Sequence, residues 1–126
     1  MADHDVPDEV THLLSQEAID SYASLSGDFN PLHVDPAYTA RTSFGGTIAH
    51  GPLSLQPMFE ALCSWLGRDD LPPGCRVDAS FRRAVPSGST VTAEFSREEM
   101  GDGTIVHATC RTETGTIAIE ATIEGV

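Results

Sequence analysis

The chain contains no lysine, little cysteine and no long hydrophobic run. Its seven basic residues are all arginines and stand against 19 acidic residues, so the formal net charge of the 126 residues is −12. Phosphate backbones are bound by clustered positive charge, and this balance therefore argues against nucleic acid as a partner. No apolar run reaches the roughly 20 residues of a membrane span, and the acidic N-terminus does not resemble a secretory signal. We therefore expect a soluble, cytoplasmic protein that binds neither nucleic acid nor membrane.

The three cysteines cannot all pair within one chain and have no C-x-x-C spacing, which argues against a disulfide framework and a zinc knuckle. We expect Cys63, Cys75 and Cys110 to be reduced. A lysine-free, acidic composition is typical of proteins from salt-accumulating organisms, and a GC-rich genome that favours arginine codons would produce it too. The length is that of one domain, so we expect a single domain over 1–126.

Two helices are predicted in the first half of the chain. Ser15 is a favourable N-cap, and apolar residues at helical spacing follow it, which predicts a helix over 15–26 that ends at Gly27. A longer helix is predicted over 51–67. Its apolar residues cover nearly the whole circumference, so it should be buried on most sides, and Pro57 inside it should cause a kink.

From residue 74 onward the apolar period changes from 3.6 to 2, which indicates strands. After a short first strand at 10–14, four more strands are predicted, at 77–81, 91–96, 106–110 and 117–123. Their inward-facing residues would be Val77, Ala79, Phe81, Val91, Ala93, Phe95, Val106, Ala108, Cys110, Ile117, Ile119, Ala121 and Ile123. Turns that contain glycine, at 101–103 and 113–115, would join them as hairpins. Helices followed by an antiparallel meander predict an α+β fold, in which one antiparallel sheet wraps around one long buried helix.

One short stretch places a carboxylate and an imidazole close together. Gly27 can take the left-handed conformation that ends a helix, and the Asn-Pro pair at 30–31 is turn chemistry, so we expect Asp28 and His33 on one proline-stiffened loop. Such a pair suits general acid–base catalysis. Gly51 then opens the buried helix, where its N–H is a candidate oxyanion donor.

Two sequence segments resemble those of a known family. Gly-Asp-Phe-Asn-Pro-Leu-His at 27–33 and Ile-Ala-His-Gly at 48–51 resemble the hydratase motif of the MaoC-like, (R)-specific enoyl-CoA hydratases, which have the hot-dog fold. Phe-Arg-Arg-Ala-Val at 81–85 is similar to the family's strand and turn after the helix, although the family more often has proline at position 84 and aspartate at position 89. The resemblance implies a single hot-dog domain and a homodimer with its sites at the subunit interface.

The resemblance also implies an enzyme that adds water reversibly to a trans-2-enoyl-CoA and forms the (R)-3-hydroxyacyl-CoA, without a cofactor or a metal. In that reaction Asp28 is the base, His33 orients the same water and shares its proton, and the N–H of Gly51 stabilises the charge on the thioester oxygen. The candidate substrate-binding residues are Asn30, Ile48, His50, Pro52, Arg82 and Arg83.

Two of these candidates also have a structural interpretation, and a third departs from the family pattern. Asn30 is expected to brace the catalytic loop by hydrogen bonds. His50 either contacts the thioester or caps the buried helix through a ring nitrogen, and we favour the cap. Pro52 stands where the family usually has a bulky apolar residue, and it would reshape the acyl tunnel.

The arginines are considered because the phosphates of CoA are strongly anionic and the protein carries a large negative charge. Arg82 and Arg83, with Arg41, are candidates for phosphate contacts, since a guanidinium group binds phosphate in a bidentate fork. Ion pairing with the many carboxylates is an equal alternative.

Other functions remain open on the sequence. A 3-hydroxyacyl dehydratase that acts on an acyl carrier protein would use the same chemistry. A hot-dog acyl-CoA thioesterase would instead release free CoA. A non-catalytic, acyl-CoA-binding subunit would not depend on Asp28 at all.

A set of iron ligands is a further alternative. His33-x-Asp35, with His50 or His107, resembles the two-histidine, one-carboxylate set of non-haem iron enzymes. The flanking prolines indicate a loop, whereas such ligands usually lie on a strand. We expect His107 at the surface of its strand, and no specific role for the histidines near the acidic terminus, His4 and His12.

Overall fold

The computed structural model describes residues 5–101 and 103–126. Within these ranges the strands and helices are β1 Val10–Leu14, α1 Gln16–Ser26, α2 Pro31–Val34, α3 Pro36–Thr39, α4 Gly51–Ser54, α5 Gln56–Leu66, β2 Arg76–Phe81, β3 Ser89–Met100, β4 Gly103–Thr112 and β5 Ile117–Glu124. All strand pairs are antiparallel, and the order in the sheet is β1-β3-β4-β5-β2. His4 and the middle residue of the predicted 101–103 turn lie outside the described residues. Among the described residues, no helix has the length and apolar character that crossing a membrane requires.

One face of the sheet packs against α5 and forms the core. The helix contributes Met58, Ala61 and Leu62, all nearly inaccessible to solvent. The sheet contributes alternating residues of its central strands: Val91, Ala93, Val106, Ala108, Ile119 and Ile123. Burial of these apolar side chains is the main favourable contribution to folding. The predicted α+β arrangement, one antiparallel sheet against a buried helix, is confirmed.

The helix predicted over 51–67 is divided into α4 and α5 at Leu55. Pro57 has no N–H, and its ring would collide with the carbonyl four residues earlier, so the chain does not continue as one helix. Leu55 instead donates its N–H to the Pro52 carbonyl at 3.1 Å, which closes α4. The break lies close to the predicted kink, but the prediction of one continuous helix was wrong. Burial of α5 is also incomplete, because one line of residues is exposed: Gln56, Glu60 and Ser64.

Two predicted inward positions differ because of the sheet topology. Phe81 is 55% exposed, since β2 forms an edge of the sheet and ends at this residue. Ile117 is only partly buried while Ala118 is fully buried, because the register between β4 and β5 shifts at Cys110 and Arg111. The other predicted inward residues are buried or partly buried.

The three cysteines are unpaired, as expected. Cys110 lies in the core, and burial raises the pKa of its thiol to about 11. Burial also raises the pKa of Cys75. Because the thiolate is the reactive form, Cys110 should react slowly with thiol reagents near neutral pH.

We expect Met58→Ala to destabilise the fold strongly. Met58 is fully buried in α5, and the cavity left by such a truncation typically costs about 2–5 kcal/mol. Urea unfolding followed by circular dichroism measures the change. Ser64→Ala, at an exposed position of the same helix, is the control and should change the free energy of unfolding by less than about 0.5 kcal/mol. Equal losses in the two variants would contradict this assignment of the core.

Candidate active site

Short-range hydrogen bonds hold the connection between α1 and α2. Gly27 ends α1 in the left-handed conformation, with φ 79°, and donates its N–H to Ala23. Asp28 Oδ1 accepts the N–H of Asn30 at 3.2 Å, and Asn30 Oδ1 accepts the N–H of Leu32 at 3.0 Å. Asn30 is thus the N-cap of α2, and it braces this segment as expected.

His33 lies on α2, whereas the sequence predicted a loop. The Asn-Pro pair that indicates a turn serves here as the N-cap and first residue of a helix, where the missing N–H of proline is harmless. His33 Nδ1 lies 2.8 Å from the carbonyl oxygen of Ile48. A carbonyl oxygen can only accept a hydrogen bond, so Nδ1 carries a proton, and in the neutral imidazole the lone pair lies on Nε2.

The free nitrogen of His33 faces Asp28. Nε2 lies 4.0 Å from Asp28 Oδ2, which is too long for a direct hydrogen bond and suits one bridging water molecule. The side chain of His33 is 13% exposed and that of Asp28 is 53% exposed. The structure therefore brings the predicted carboxylate and imidazole together, with the carboxylate open to solvent.

Main-chain hydrogen bonds fix the carbonyl that holds His33. Ile48 donates its N–H to the Leu32 carbonyl at 3.0 Å, and Ala49 donates to the Val85 carbonyl at 2.8 Å. These bonds tie the segment 47–49 to α2 on one side and to the turn before β3 on the other. The Ile48 carbonyl therefore cannot turn away from His33 without breaking them.

Gln16 is a further positioning residue, which the sequence did not reveal. Its Nε2 donates to the His33 carbonyl at 2.9 Å and to Asp20 at 2.8 Å, while its Oε1 accepts from Thr47 Oγ1 at 2.6 Å. One amide group thus ties α1 to α2 and to the segment 47–49. Two of these partners are 17 and 31 residues away, so no local pattern could have identified the role.

His50 is buried beneath the pair and does not cap α4, contrary to expectation. Its ring is directed to the connection after α1, where Nε2 lies 3.0 Å from the Asp28 carbonyl oxygen. The ring stacks on that of His33, with centroids 3.9 Å apart and planes at 28°. The His50 ring also makes an edge-type contact with the Tyr22 ring, with the two centroids 4.8 Å apart. Nδ1 has no hydrogen-bond partner among the described residues.

A cavity of about 330 Å³ lies between His33 and the start of α4. Ile48, Gly51, Phe81 and other residues line it together with His33. The N–H of Gly51, at the first position of α4, has no acceptor in the part of the chain that the structure describes. A Cβ at Gly51 would lie 2.9 Å from the Phe81 ring, so glycine lets this ring pack against the main chain. Open space therefore separates the imidazole from the amide.

The candidate phosphate-binding arginines differ in their surroundings. Arg82 forms an ion pair with Glu120 at 3.0 Å, so the ion-pair alternative describes it. Arg83 is exposed, lines the cavity and has no carboxylate partner within the described ranges. Arg41 is also exposed and without such a partner there. The other four arginines of the chain are in ion pairs: Arg68, Arg76, Arg97 and Arg111.

Pro52 does not line this cavity. It lines a second groove of about 450 Å³, together with Tyr22, Leu25, Phe59 and other residues of α1, α4 and α5. Any effect of Pro52 on a bound acyl group would therefore have to act through this groove.

Asp28, His33 and His50 offer three metal-ligating atoms within 4.8 Å of one another. Imidazole lone pairs lie in the ring plane, and the two stacked rings have nearly parallel planes. An ion in the plane of one ring would therefore lie out of the plane of the other, so this donor set fits a metal poorly. Asp35, which the sequence placed in a set of iron ligands, does not belong to this group, and its Oδ1 accepts the Tyr38 N–H at 3.0 Å as the N-cap of α3.

Two other histidines pair with glutamates and do not line the cavity. His107 Nε2 lies 2.8 Å from Glu98, and His12 Nε2 lies 3.0 Å from Glu60. His107 is partly exposed on the outward row of β4, close to the expectation from the strand period. His12 has a defined partner, which the sequence did not predict.

The chain has relatives of known activity. It is 42% identical over 76 residues to the (R)-specific enoyl-CoA hydratase of Aeromonas caviae, an alignment that covers 59% of this chain and 54% of that protein. It is 34% identical over 98 residues to the 3-hydroxyacyl-thioester dehydratase Z of Mycobacterium tuberculosis, covering 73% of this chain and 65% of that protein. The chain thus spans less than two thirds of the length of either relative.

Solved structures and a family model cover more of the chain. An (R)-hydratase from A. caviae involved in PHA biosynthesis superposes with a TM-score of 0.78 at 28% identity, over 97% of each chain. R-hydratase PhaJ1 from Pseudomonas aeruginosa gives a TM-score of 0.74 at 26% identity, over 98% of this chain and 81% of that chain. The model of the MaoC like domain matches residues 2–121. The chain therefore belongs to the MaoC-like domain family and has the hot-dog fold.

Proposed function

We propose that this protein adds water reversibly across the double bond of a trans-2-enoyl-CoA to give the (R)-3-hydroxyacyl-CoA. The observation that carries this proposal is the His33 Nε2 lone pair, 4.0 Å from the Asp28 carboxylate, with Nδ1 held by Ile48. The names of the relatives support it, since one is an (R)-specific hydratase and the other a dehydratase, which catalyses the reverse reaction.

One water molecule between the two side chains can supply both parts of the addition. Asp28 accepts a proton from the water as the water oxygen forms a bond to C3, and the electron pair of the double bond moves toward the thioester oxygen. C2 then takes a proton from the Asp28 and His33 pair as the carbonyl re-forms. No electrons are gained or lost, so the step needs no redox cofactor. General acid–base assistance of this kind is typically worth ~10²–10⁴ in rate.

The N–H of Gly51 can stabilise the charge on the thioester oxygen. It opens α4, lacks an acceptor among the described residues and lines the same cavity as His33. The Phe81 ring occupies the space that a side chain at Gly51 would need, and it forms one wall beside the amide. Loss of an oxyanion donor typically costs about 10²–10³ in kcat.

We assign the anionic part of CoA to Arg83. This side chain lines the cavity, and no carboxylate within the described ranges neutralises it. Guanidinium groups bind phosphate oxygens through parallel N–H bonds. Arg83 therefore provides positive charge beside the site in a protein of net charge −12.

We also propose that the protein is a homodimer. β2 is an edge strand that pairs with β5 alone among the described strands. Phe44 and Phe81, both on the cavity lining, are 50% and 55% exposed. A second copy placed along this edge would cover these rings and pair the open strand. Sedimentation velocity should give the mass of two chains, and a monomer would contradict the proposal.

The direct test is turnover of crotonyl-CoA and longer trans-2-enoyl-CoAs, followed by the loss of enoyl absorbance and by the stereochemistry of the product. We expect the (R)-3-hydroxyacyl-CoA. Turnover of carrier-protein thioesters alone would favour the dehydratase alternative, and release of free CoA would favour a thioesterase. The CoA measurement needs a blank with protein alone, because Cys63, Cys75 and Cys110 are unpaired. No turnover of any of these thioesters would refute the assignment.

We expect Asp28→Asn to lower kcat by at least about 10²-fold, because an amide cannot accept the proton of the attacking water. The side chain is half exposed and the substitution is isosteric, so the fold should persist. Steady-state hydration kinetics and a thermal melt measure the two effects. Asp69→Asn, at an exposed position after α5, is the matched control and should keep full activity. Unchanged activity in Asp28→Asn would support a non-catalytic binding subunit instead.

We expect Arg83→Ala to raise KM for enoyl-CoA about two- to fivefold with little change in kcat, the range for one exposed ion pair. The KM of the unaltered protein should also rise more steeply with salt than that of the variant. Arg76→Ala, which removes an arginine already paired with Asp78 at the other end of β2, is the control. An equal rise in KM for both variants would contradict a specific phosphate contact.

A further inference from the structure

His50 is a buried side chain that the proposed hydration step does not use. It is 1% exposed and directly precedes Gly51. Its ring touches three parts of the site, because it stacks on His33, meets the edge of Tyr22 and bonds to the main chain of Asp28. One side chain therefore contacts both members of the reactive pair.

The bond to Asp28 fixes the tautomer of His50. Nε2 lies 3.0 Å from a carbonyl oxygen, which can only accept, so Nε2 carries the proton. Nδ1 is then a bare acceptor, and no donor among the described residues reaches it. An unpaired buried acceptor lowers stability, whereas a phenylalanine ring would bury no such atom. A histidine also supplies at Nε2 a donor for the Asp28 carbonyl, which a phenylalanine would lack.

The stacked ring limits the motion of His33. The bond from His33 Nδ1 to the Ile48 carbonyl fixes one point of the ring and still permits rotation about that bond. The ring of His50, 3.9 Å away between centroids and tilted by 28°, covers one face of the imidazole. Rotation toward that face is blocked, so Nε2 keeps its direction toward Asp28.

The same side chain restrains the other half of the pair. Asp28 lies on the exposed connection after Gly27, where its own side chain contributes little packing. The N–H of Asn30 holds Asp28 Oδ1, and the Nε2–H of His50 holds the Asp28 carbonyl. These two bonds leave Oδ2 directed at His33.

We propose that His50 is a positioning residue, which holds Asp28 and His33 at the separation that one water molecule can bridge. Its effect on rate rests on the proposed hydration reaction, whereas its effect on the geometry of His33 does not. Misplacement of a reacting group by about 1 Å can lower the rate on the order of 10²-fold, so loss of this restraint should change the rate measurably.

Enzyme kinetics separate the two contacts of His50. His50→Phe keeps a stacked ring and removes the donor, while His50→Gln keeps a donor at the reach of Nε2 and removes the ring. We expect each to lower kcat on the order of ten- to a hundredfold, with KM within about twofold, and His50→Leu, which lacks both contacts, to lose more. An unchanged kcat in His50→Phe would overturn the proposal. So would a raised KM with unchanged kcat, since that would indicate a substrate contact.

Nitrogen NMR tests the geometry without turnover. In protein labelled with ¹⁵N at histidine, long-range proton–nitrogen correlations should show His33 protonated at Nδ1 and His50 at Nε2. Folded His50→Gln, which removes the ring that covers one face of His33, should shift the His33 signals toward a mixture of tautomers, whereas His50→Phe, which keeps a stacked ring, should change them less. His50→Leu provides the ring-less comparison if His50→Gln does not fold. His107→Phe, which removes an exposed pair with Glu98, is the control and should leave His33 unchanged.

These measurements distinguish the two proposals. Unchanged His33 signals in the His50 variants that lack a ring, or His33 protonated at Nε2 in the unaltered protein, would overturn the positioning role even if hydration is observed. Altered His33 signals in a protein without hydratase activity would support the positioning role and refute the proposed reaction alone.

Discussion

The hydrogen bond from His33 to the Ile48 carbonyl determines what the rest of the site can do. His33 donates its Nδ1–H to that carbonyl oxygen, with 2.8 Å between the nitrogen and the oxygen. The Nε2 of the neutral ring therefore faces Asp28 with its lone pair. The carbonyl is itself fixed, since the main chain around it donates to Leu32 and Val85. The reactivity of the imidazole therefore depends on backbone bonds between segments that are far apart in the sequence, and any disturbance of the 47–49 segment would change the tautomer that the pair presents.

The excess of negative charge is a second constraint on what the site can bind. Salt screens this charge, so its effect depends on the groups close to the cavity. At physiological ionic strength, exposed charges interact over about 8 Å, so a ligand at the cavity responds to neighbouring groups more than to the total charge of −12. Arg82 is neutralised by Glu120, whereas Arg83 beside it is not paired with any carboxylate in the described ranges. A local positive charge at the cavity is therefore compatible with an acidic surface, and it would favour the approach of an anionic ligand to that cavity.

The sequence predicted the features that depend on near neighbours. Ser15 caps α1 and Gly27 ends it as expected, because each acts on N–H groups within a few residues. The helix at His33 was missed, since an Asn-Pro pair serves equally in a turn and at a helix start. The exposure of Phe81 was missed for another reason: the apolar period identifies the inward row of a strand but not whether that strand lies at the edge of the sheet.

The motif identified which groups could react, but not what positions them, because Gln16 and His50 act across gaps of 17 and 22 residues. His50 and Gly51 are nevertheless adjacent, and this adjacency has a physical consequence. The ring of His50 supports the groups that would act at C3 of a substrate, while the next amide would hold the thioester oxygen. A shift at the start of α4 would therefore move both ends of the reacting unit together. In the proposed reaction, one dipeptide thus links the support of the base directly to the oxyanion donor.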